Sequence, residues 1–173
     1  FDRMGLLFDQ LKKHPLYIDD DPDTTISSIR SKARRQQMEF GLDVLVIDYL
    51  QLIETTDRAS GENRTQEVSH ISRSLKNLAR ELSIPIIAVA QLSRSPEQRN
   101  PPIPILSDLR DSGSIEQDAD IVLMLYRESY YNEDSENRNE TDVYIRKNRN
   151  GPTGRVTLFF DDAKMSFRDL GPN

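Results

Sequence analysis

The sequence predicts an α/β fold: a mostly parallel sheet flanked by helices, with an antiparallel hairpin added at the C-terminal end. Two apolar runs, 42–47 and 84–90, bracket an amphipathic stretch marked by Val68, Ile71, Leu75, Leu78 and Leu82, the pattern of a βαβ unit and hence of parallel strands. Two later runs, 143–147 and 155–160, enclose Asn150-Gly151, a strong local hairpin signal. The 173 residues suit one domain, spanning 1–173, with a sizeable core.

Each element follows from local pattern. Met4, Leu7, Phe8 and Leu11 repeat at helical spacing up to His14-Pro15. The chain opens inside an element already under way, so a preceding segment is expected. Leu16-Tyr17-Ile18 predicts a short strand closed by Asp19, Asp20, Asp21 and Pro22; these aspartates suit a turn before a helix cap better than a metal site. A helix is expected from Thr24 to Phe40, with Ile26, Ile29, Ala33 and Phe40 inward and Gly41 as its stop. Leu42 to Ile47 predicts a strand covered on both faces, and Ile84 to Ala90 a second one. Between them lie a polar loop, 55–65, and the amphipathic helix. The loop 93–106 carries Pro96, Pro101, Pro102 and Pro104 and is too long to be a mere connector. After Gly113, Ser114 and Gln117 have capping-box spacing and open a short helix. Ile121 to Tyr126 reads as a strand, and Lys164 to Arg168 as a last edge strand.

Composition narrows the chemistry. The chain has no cysteine, which removes disulfides, thiolate zinc sites and cysteine nucleophiles. Its two histidines, His14 and His70, are far apart, which argues against a histidine-based metal centre. No run approaches the roughly 18 apolar residues of a membrane span and no signal peptide opens the chain, so a soluble, cytoplasmic protein without a membrane partner is expected. The net charge is −6, but residues 128–142 hold six acids against Arg138 alone, a net of −5. The remainder is nearly neutral and carries basic clusters, so overall acidity does not exclude nucleic acid.

Open parallel sheets bind ligands beyond the carboxyl ends of their strands. Asp48 follows one predicted strand and Gln91 the other. An aspartate there can hold Mg²⁺ through water, and a glutamine can sense a terminal phosphate. Taken singly, each is better explained otherwise, Asp48 as a strand cap and Gln91 as a backbone hydrogen-bonding group. Lys147 and Arg149, two apart at a hairpin, point to one side and suit a phosphate on another molecule, though a solvated basic hairpin fits the spacing as well. Arg110, Gly113 and a helix start lie close together in 106–114, a natural cradle for a phosphodiester; ordinary capping with Arg110 in solvent is the plainer reading.

The strings LVIDYLQLI (45–53), AQLSR (90–94), LSDLRDSGSIEQDADIVLMLYR (106–127) and KNRNGPTG (147–154), in this order, resemble the C-terminal, RecA-like motor domain of bacterial DnaB-type replicative DNA helicases. YIDD at 17–20 and ENR at 62–64 extend the likeness over essentially the whole chain. The resemblance implies ATP and Mg²⁺ as cofactors, with Asp48 as the Walker B aspartate positioning Mg²⁺ and Gln91 coupling the γ-phosphate to DNA-facing loops. It implies Arg149 as an arginine finger, and Lys147 as its partner, offered to ATP on the adjacent subunit of a homo-hexamer. Arg110, Asp111 and Gly113 would grip the backbone of single-stranded DNA, where the family's usual glutamate is replaced by the shorter Asp111. The loops 55–65 and 93–106 would line or approach a central channel. A primase and a helicase loader are implied partners, within a primosome.

No G-x-x-x-x-G-K-[ST] phosphate loop occurs in the chain. The resemblance therefore implies a partial domain lacking the Walker A portion, whether a truncation, a split gene product or a segment of an interrupted gene, and inactive by itself. Two other readings compete. Another RecA-like ATPase, of recombinase type, would fit the Walker B region. A non-catalytic module docking onto intact helicase rings would fit the missing phosphate loop.

Overall fold

The computed structural model describes residues 14–54, 64–109 and 113–170. The helix expected at 4–11, most of the loop 55–65, and Arg110 and Asp111 lie outside the described residues. In order, the elements are α1 (Ile26–Phe40), β1 (Leu45–Ile47), α2 (Arg64–Leu82), β2 (Ile86–Ala88), α3 (Gly113–Asp118), β3 (Ile121–Tyr126), α4 (Glu128–Tyr131), β4 (Glu140–Asn148), β5 (Gly154–Asp161) and β6 (Ser166–Asp169).

α1 starts at a reciprocal cap: Thr25 Oγ1 accepts the Ser28 N–H while Ser28 Oγ accepts the Thr25 N–H. It stops at Gly41, whose φ of 83° lies in the left-handed half of backbone space that glycine enters without a Cβ clash. α2 places Val68, Ile71, Leu75, Leu78 and Leu82 on its buried stripe. β1 and β2 pair in parallel, Leu45 beside Ile86 and Ile47 beside Ala88, with α2 as the intervening helix. Ala33, Leu78, Leu82 and Ile84 form one end of the core, and Leu50, Ile53, Ile71 and Leu75 the next. Leu109, Val122 and Met124 form the third part, joined to the second through Ala90 and Ile115.

Among the described residues parallel pairing is confined to β1 with β2 and an isolated bridge between Thr25 and Glu54; β3 opens a four-stranded antiparallel sheet, β3-β4-β5-β6. The antiparallel portion is thus larger than a terminal hairpin. The strands are not covered on both faces. Val44, Val46, Ile87 and Val89 are exposed because α1 and α2 pack on one side of β1 and β2, and Ile121, Leu123 and Leu125 are exposed while Val122 and Met124 pack on Leu109 and Ile115. Residues 16–18 form no strand and lie exposed, and Phe40, expected inward, is 64% exposed against the Tyr17 ring. The Ser114–Gln117 cap is not made: Ser114 sits inside α3, and its Oγ is buried without a partner among the described residues.

Candidate functional site

At the parallel pair, the β-ladder continues past the strand ends. The Val89 N–H donates to Ile47 O at 2.9 Å, and the Leu50 N–H to Val89 O at 2.9 Å. This brings Asp48 and Gln91 onto one rim. Both are exposed, and neither side chain has a partner among the described residues. Gln91 is fixed through its backbone instead: Gln51 Nε2 donates to Gln91 O at 3.2 Å, and the Gln91 N–H donates to Gln51 Oε1 at 3.3 Å. Its side-chain amide is left free above the rim among the described residues.

Beyond Gln91 the long loop is pinned by one buried carboxylate. Asp108, 1% exposed, accepts from Arg99 Nη1 at 3.0 Å and Nη2 at 2.5 Å, and from the Ile105 N–H at 2.7 Å. Its carbonyl accepts the Ser93 N–H at 2.9 Å, so this single residue holds both ends of the 93–106 segment. The Arg99 hydrogen bonds hold the Asp108 carboxyl below the usual carboxylate range, outweighing burial, which acts in the opposite direction.

The two cations sit where β4 ends. β3 pairs Val122 with Lys147 but Leu123 with Ile145, so Arg146 is the extra residue of a bulge that re-aims the strand just before Lys147. The connection from Asn148 to Gly154 closes on Asn148, whose Nδ2 donates to Pro152 O at 3.3 Å. A Cβ at Gly151 would lie 2.6 Å from that Nδ2, so a larger residue there would have to displace the Asn148 amide. Lys147 Nζ donates to Glu116 O at 2.5 Å and Gln117 O at 3.2 Å. Arg149 Nη2 donates to Gln117 O at 3.3 Å, its Nη1 lies 3.1 Å from Asp120 Oδ1, and its backbone N–H donates to Asp120 O at 2.8 Å. Lys76 also pairs with Asp120 and, with Arg149 and Lys147 adding charge, keeps that carboxyl low. Lys147 and Arg149 therefore share one side, as their spacing predicts, and both rest on the end of α3. Of the phosphodiester cradle, only Gly113 is described, opening α3.

One feature has no local signature in the sequence. Arg127, Tyr131, Phe160, Phe167 and Leu125 line an open cavity of about 240 Å³. The Arg127 guanidinium lies 4.8 Å from the Phe160 ring centroid, and Thr141, which also lines the cavity, has a buried Oγ1 without a partner. The two decisive residues are 33 apart in sequence, so no spacing announces them. Thr141 and Lys147 lie at opposite ends of β4, about 20 Å apart along an extended strand.

Residues 1–169 match the family model of the DnaB-like helicase C-terminal domain. The chain is 57% identical over 168 residues to the replicative DNA helicase DnaB of Geobacillus stearothermophilus, covering 97% of this chain and 37% of that protein. It is 52% identical over 168 residues to the replicative DNA helicase DnaC of Bacillus subtilis, again covering 97% and 37%. A DnaB-like replicative helicase solved in a study of its interactions with primase superposes with a TM-score of 0.89 at 41% identity, covering 96% of this chain and 41% of that one. A separately solved ATPase domain gives 0.91 at 40% identity, covering 98% and 60%. The chain thus spans little more than a third of the curated relatives' length. It belongs to the DnaB-like helicase C-terminal domain family.

Proposed function

We propose that this chain supplies part of the ATP-hydrolysing motor of a hexameric replicative DNA helicase that translocates on single-stranded DNA and unwinds duplex at the fork. The observation that carries the proposal is the rim: Asp48 and Gln91, exposed and unpartnered, at the adjacent carboxyl ends of two parallel strands. A single free carboxylate fits Mg²⁺, which keeps several waters and takes the rest of its oxygens from substrate phosphates. Among the described residues no cluster of three acids or histidines would favour a protein-caged metal instead. Asp48 would hold Mg²⁺ through its water shell, and the ion would neutralise charge developing on the transferred phosphoryl group. Gln91 would sense the γ-phosphate and, through the Asp108-pinned segment, pass its state towards Arg110, Asp111 and Gly113 on the DNA backbone.

The Arg127–Phe160 surface offers a planar base a cation–π and stacking seat. Lys147 and Arg149 lie at the far end of the same strand from that seat. This separation supports their use across a subunit boundary, on ATP held by a neighbour in a homo-hexamer. Primase and a helicase loader are partners by the same reading, which places the protein in the cytoplasm. No helix among the described residues is long and apolar enough to cross a membrane.

The test is DNA-stimulated ATP hydrolysis by this chain alone and after mixing with the Walker A-bearing portion of the same motor. Activity on mixing only is expected. Turnover by the chain alone would contradict the reading that its phosphate loop comes from elsewhere. An intact relative's ATPase that falls on adding the chain, with no activity from the mixed portions, would favour the ring-docking module.

A further inference from the structure

We propose that Asp120 is the positioning residue for the Lys147–Arg149 pair: together with the last carbonyls of α3 it forms a seat that aims both cations out of their own subunit. This rests on the reading above that Arg149 serves a neighbouring subunit's ATP, and it adds a residue that touches neither nucleotide nor DNA.

Asp120 meets Arg149 twice, through its carbonyl, which accepts the backbone N–H at 2.8 Å, and through Oδ1, 3.1 Å from Nη1. The first contact fixes where the chain passes and the second which way the guanidinium faces. Gln117 O then accepts from Arg149 Nη2 and Lys147 Nζ together, tying the two cations to one point. Carbonyls at a helix C-terminal end carry partial negative charge and lack intrahelical donors, so an ammonium and a guanidinium satisfy them well. Lys76 on α2 engages the other oxygen of Asp120, which restrains the carboxylate.

Donor bookkeeping separates a seat from a trap. A guanidinium has five N–H donors and an ammonium three. Gln117 O occupies one of those on Arg149, with the Asp120 carboxylate beside it as an ion pair, and two α3 carbonyls occupy two on Lys147. Four donors on Arg149 and one on Lys147 remain for an anion. The cations are therefore oriented before any phosphate arrives, and reorganisation during the reaction is reduced. An ordinary exposed ion pair would contribute little and would leave the rate unchanged. A seat and an ordinary pair thus differ in what substitution does to turnover.

The experiment uses a full-length helicase carrying this segment in place of the matching segment of the Geobacillus stearothermophilus relative, with Asp120→Asn, Asp120→Glu, Arg149→Ala and the Asn/Ala double variant. Asp120→Asn is expected to lower kcat by about ten- to a hundredfold, the scale of a 1 Å misplacement of a reacting group, with KM for ATP unchanged. Asp120→Glu should recover most of the loss. In the Arg149→Ala background, Asp120→Asn should add nothing, because its effect passes through Arg149. Asp120 is exposed, so these variants should keep the parent's melting temperature and hexamer mass; Asp120→Ser repeats the test if Asn does not. Parental kcat in Asp120→Asn would overturn the inference, as would the same fold-loss with and without Arg149. Parental kcat in Arg149→Ala would overturn the trans-finger reading itself, and the inference with it.

Discussion

The rim of the parallel pair and the tip of the antiparallel hairpin hold their polar groups in opposite ways. Asp48 and Gln91 stand exposed, their side chains unpartnered, above strands that are themselves tightly registered. Lys147 and Arg149 are tied down by three carbonyls and a carboxylate of their own chain. On the proposed reading, the difference follows from what each group would do. A short aspartate on a strand end loses little freedom by waiting for an ion, and a cation bonded to it would compete with that ion. Long cationic side chains on a turn would lose up to about 2 kcal/mol each in rotamer freedom on meeting a phosphate, so fixing them beforehand lowers the cost of that encounter. On the proposed reading, a site whose carboxylate and amide stay free while its cations are seated elsewhere would be completed by a second subunit.

The largest expected effect breaks the hairpin side of the comparison. In a full-length form carrying this segment, Arg149→Ala should lower kcat for ATP by about 10³-fold or more, the scale of arginine fingers, while nucleotide affinity stays close to parental. Steady-state kinetics paired with a binding isotherm checks this, and an equal loss of affinity would mean that Arg149 holds the ground state.

Between the two regions lies the Asp108 anchor. Asp108→Ala should destabilise this chain by about 2–4 kcal/mol, since it leaves the Ile105 N–H and the Arg99 guanidinium without their acceptor. The sign of the pH effect is fixed by the lowered carboxyl. Its stabilisation is fully present above the unfolded carboxylate value near 4 and is lost as pH falls through the lower folded value. Denaturant melts of Asp108→Asn should therefore show less loss of stability with acid than the parent.

Arg127→Ala should weaken nucleotide binding by a few-fold to about thirtyfold, the range of one cation–π contact, without touching kcat. An effect on kcat alone would remove the Arg127–Phe160 surface from the base seat. The smallest expected change is at Arg110. Arg110→Ala should reduce the salt slope of single-stranded DNA binding by about one, read from anisotropy titrations at several salt concentrations. An unchanged slope would take Arg110 off the phosphates.

Much of this arrangement was legible in the chain, and the exceptions share a cause. β3 matches its predicted bounds, Ile121–Tyr126, because its own residues define it. The βαβ unit was legible from the stripe Val68, Ile71, Leu75, Leu78 and Leu82, which packs as its spacing requires. The place of Asp48 and Gln91 at adjacent strand ends was legible because sequence can count to the end of a strand. What escaped depends on residues distant in sequence. Phe160 reaches Arg127, and Asp120 reaches Arg149, only after β3, β4 and β5 have paired. Apolar strand runs promise two covered faces, yet the covering supplied by α1 and α2 reaches one. Ser114 has the spacing of a cap, but α3 already begins at Gly113, so its hydroxyl falls inside the helix.

The claim that one chain's rim is completed by another chain's hairpin is tested most directly by mixing two dead variants. Full-length subunits carrying Asp48→Asn and subunits carrying Arg149→Ala would each be assembled alone and then together, and DNA-stimulated ATP hydrolysis measured. Each alone should be inactive. Mixed rings should regain activity, because an Arg149→Ala subunit keeps its Asp48 and can receive Arg149 from an Asp48→Asn neighbour. Mixed rings that stay as inactive as their parents would show that Asp48 and Arg149 must come from the same chain, and would contradict the account.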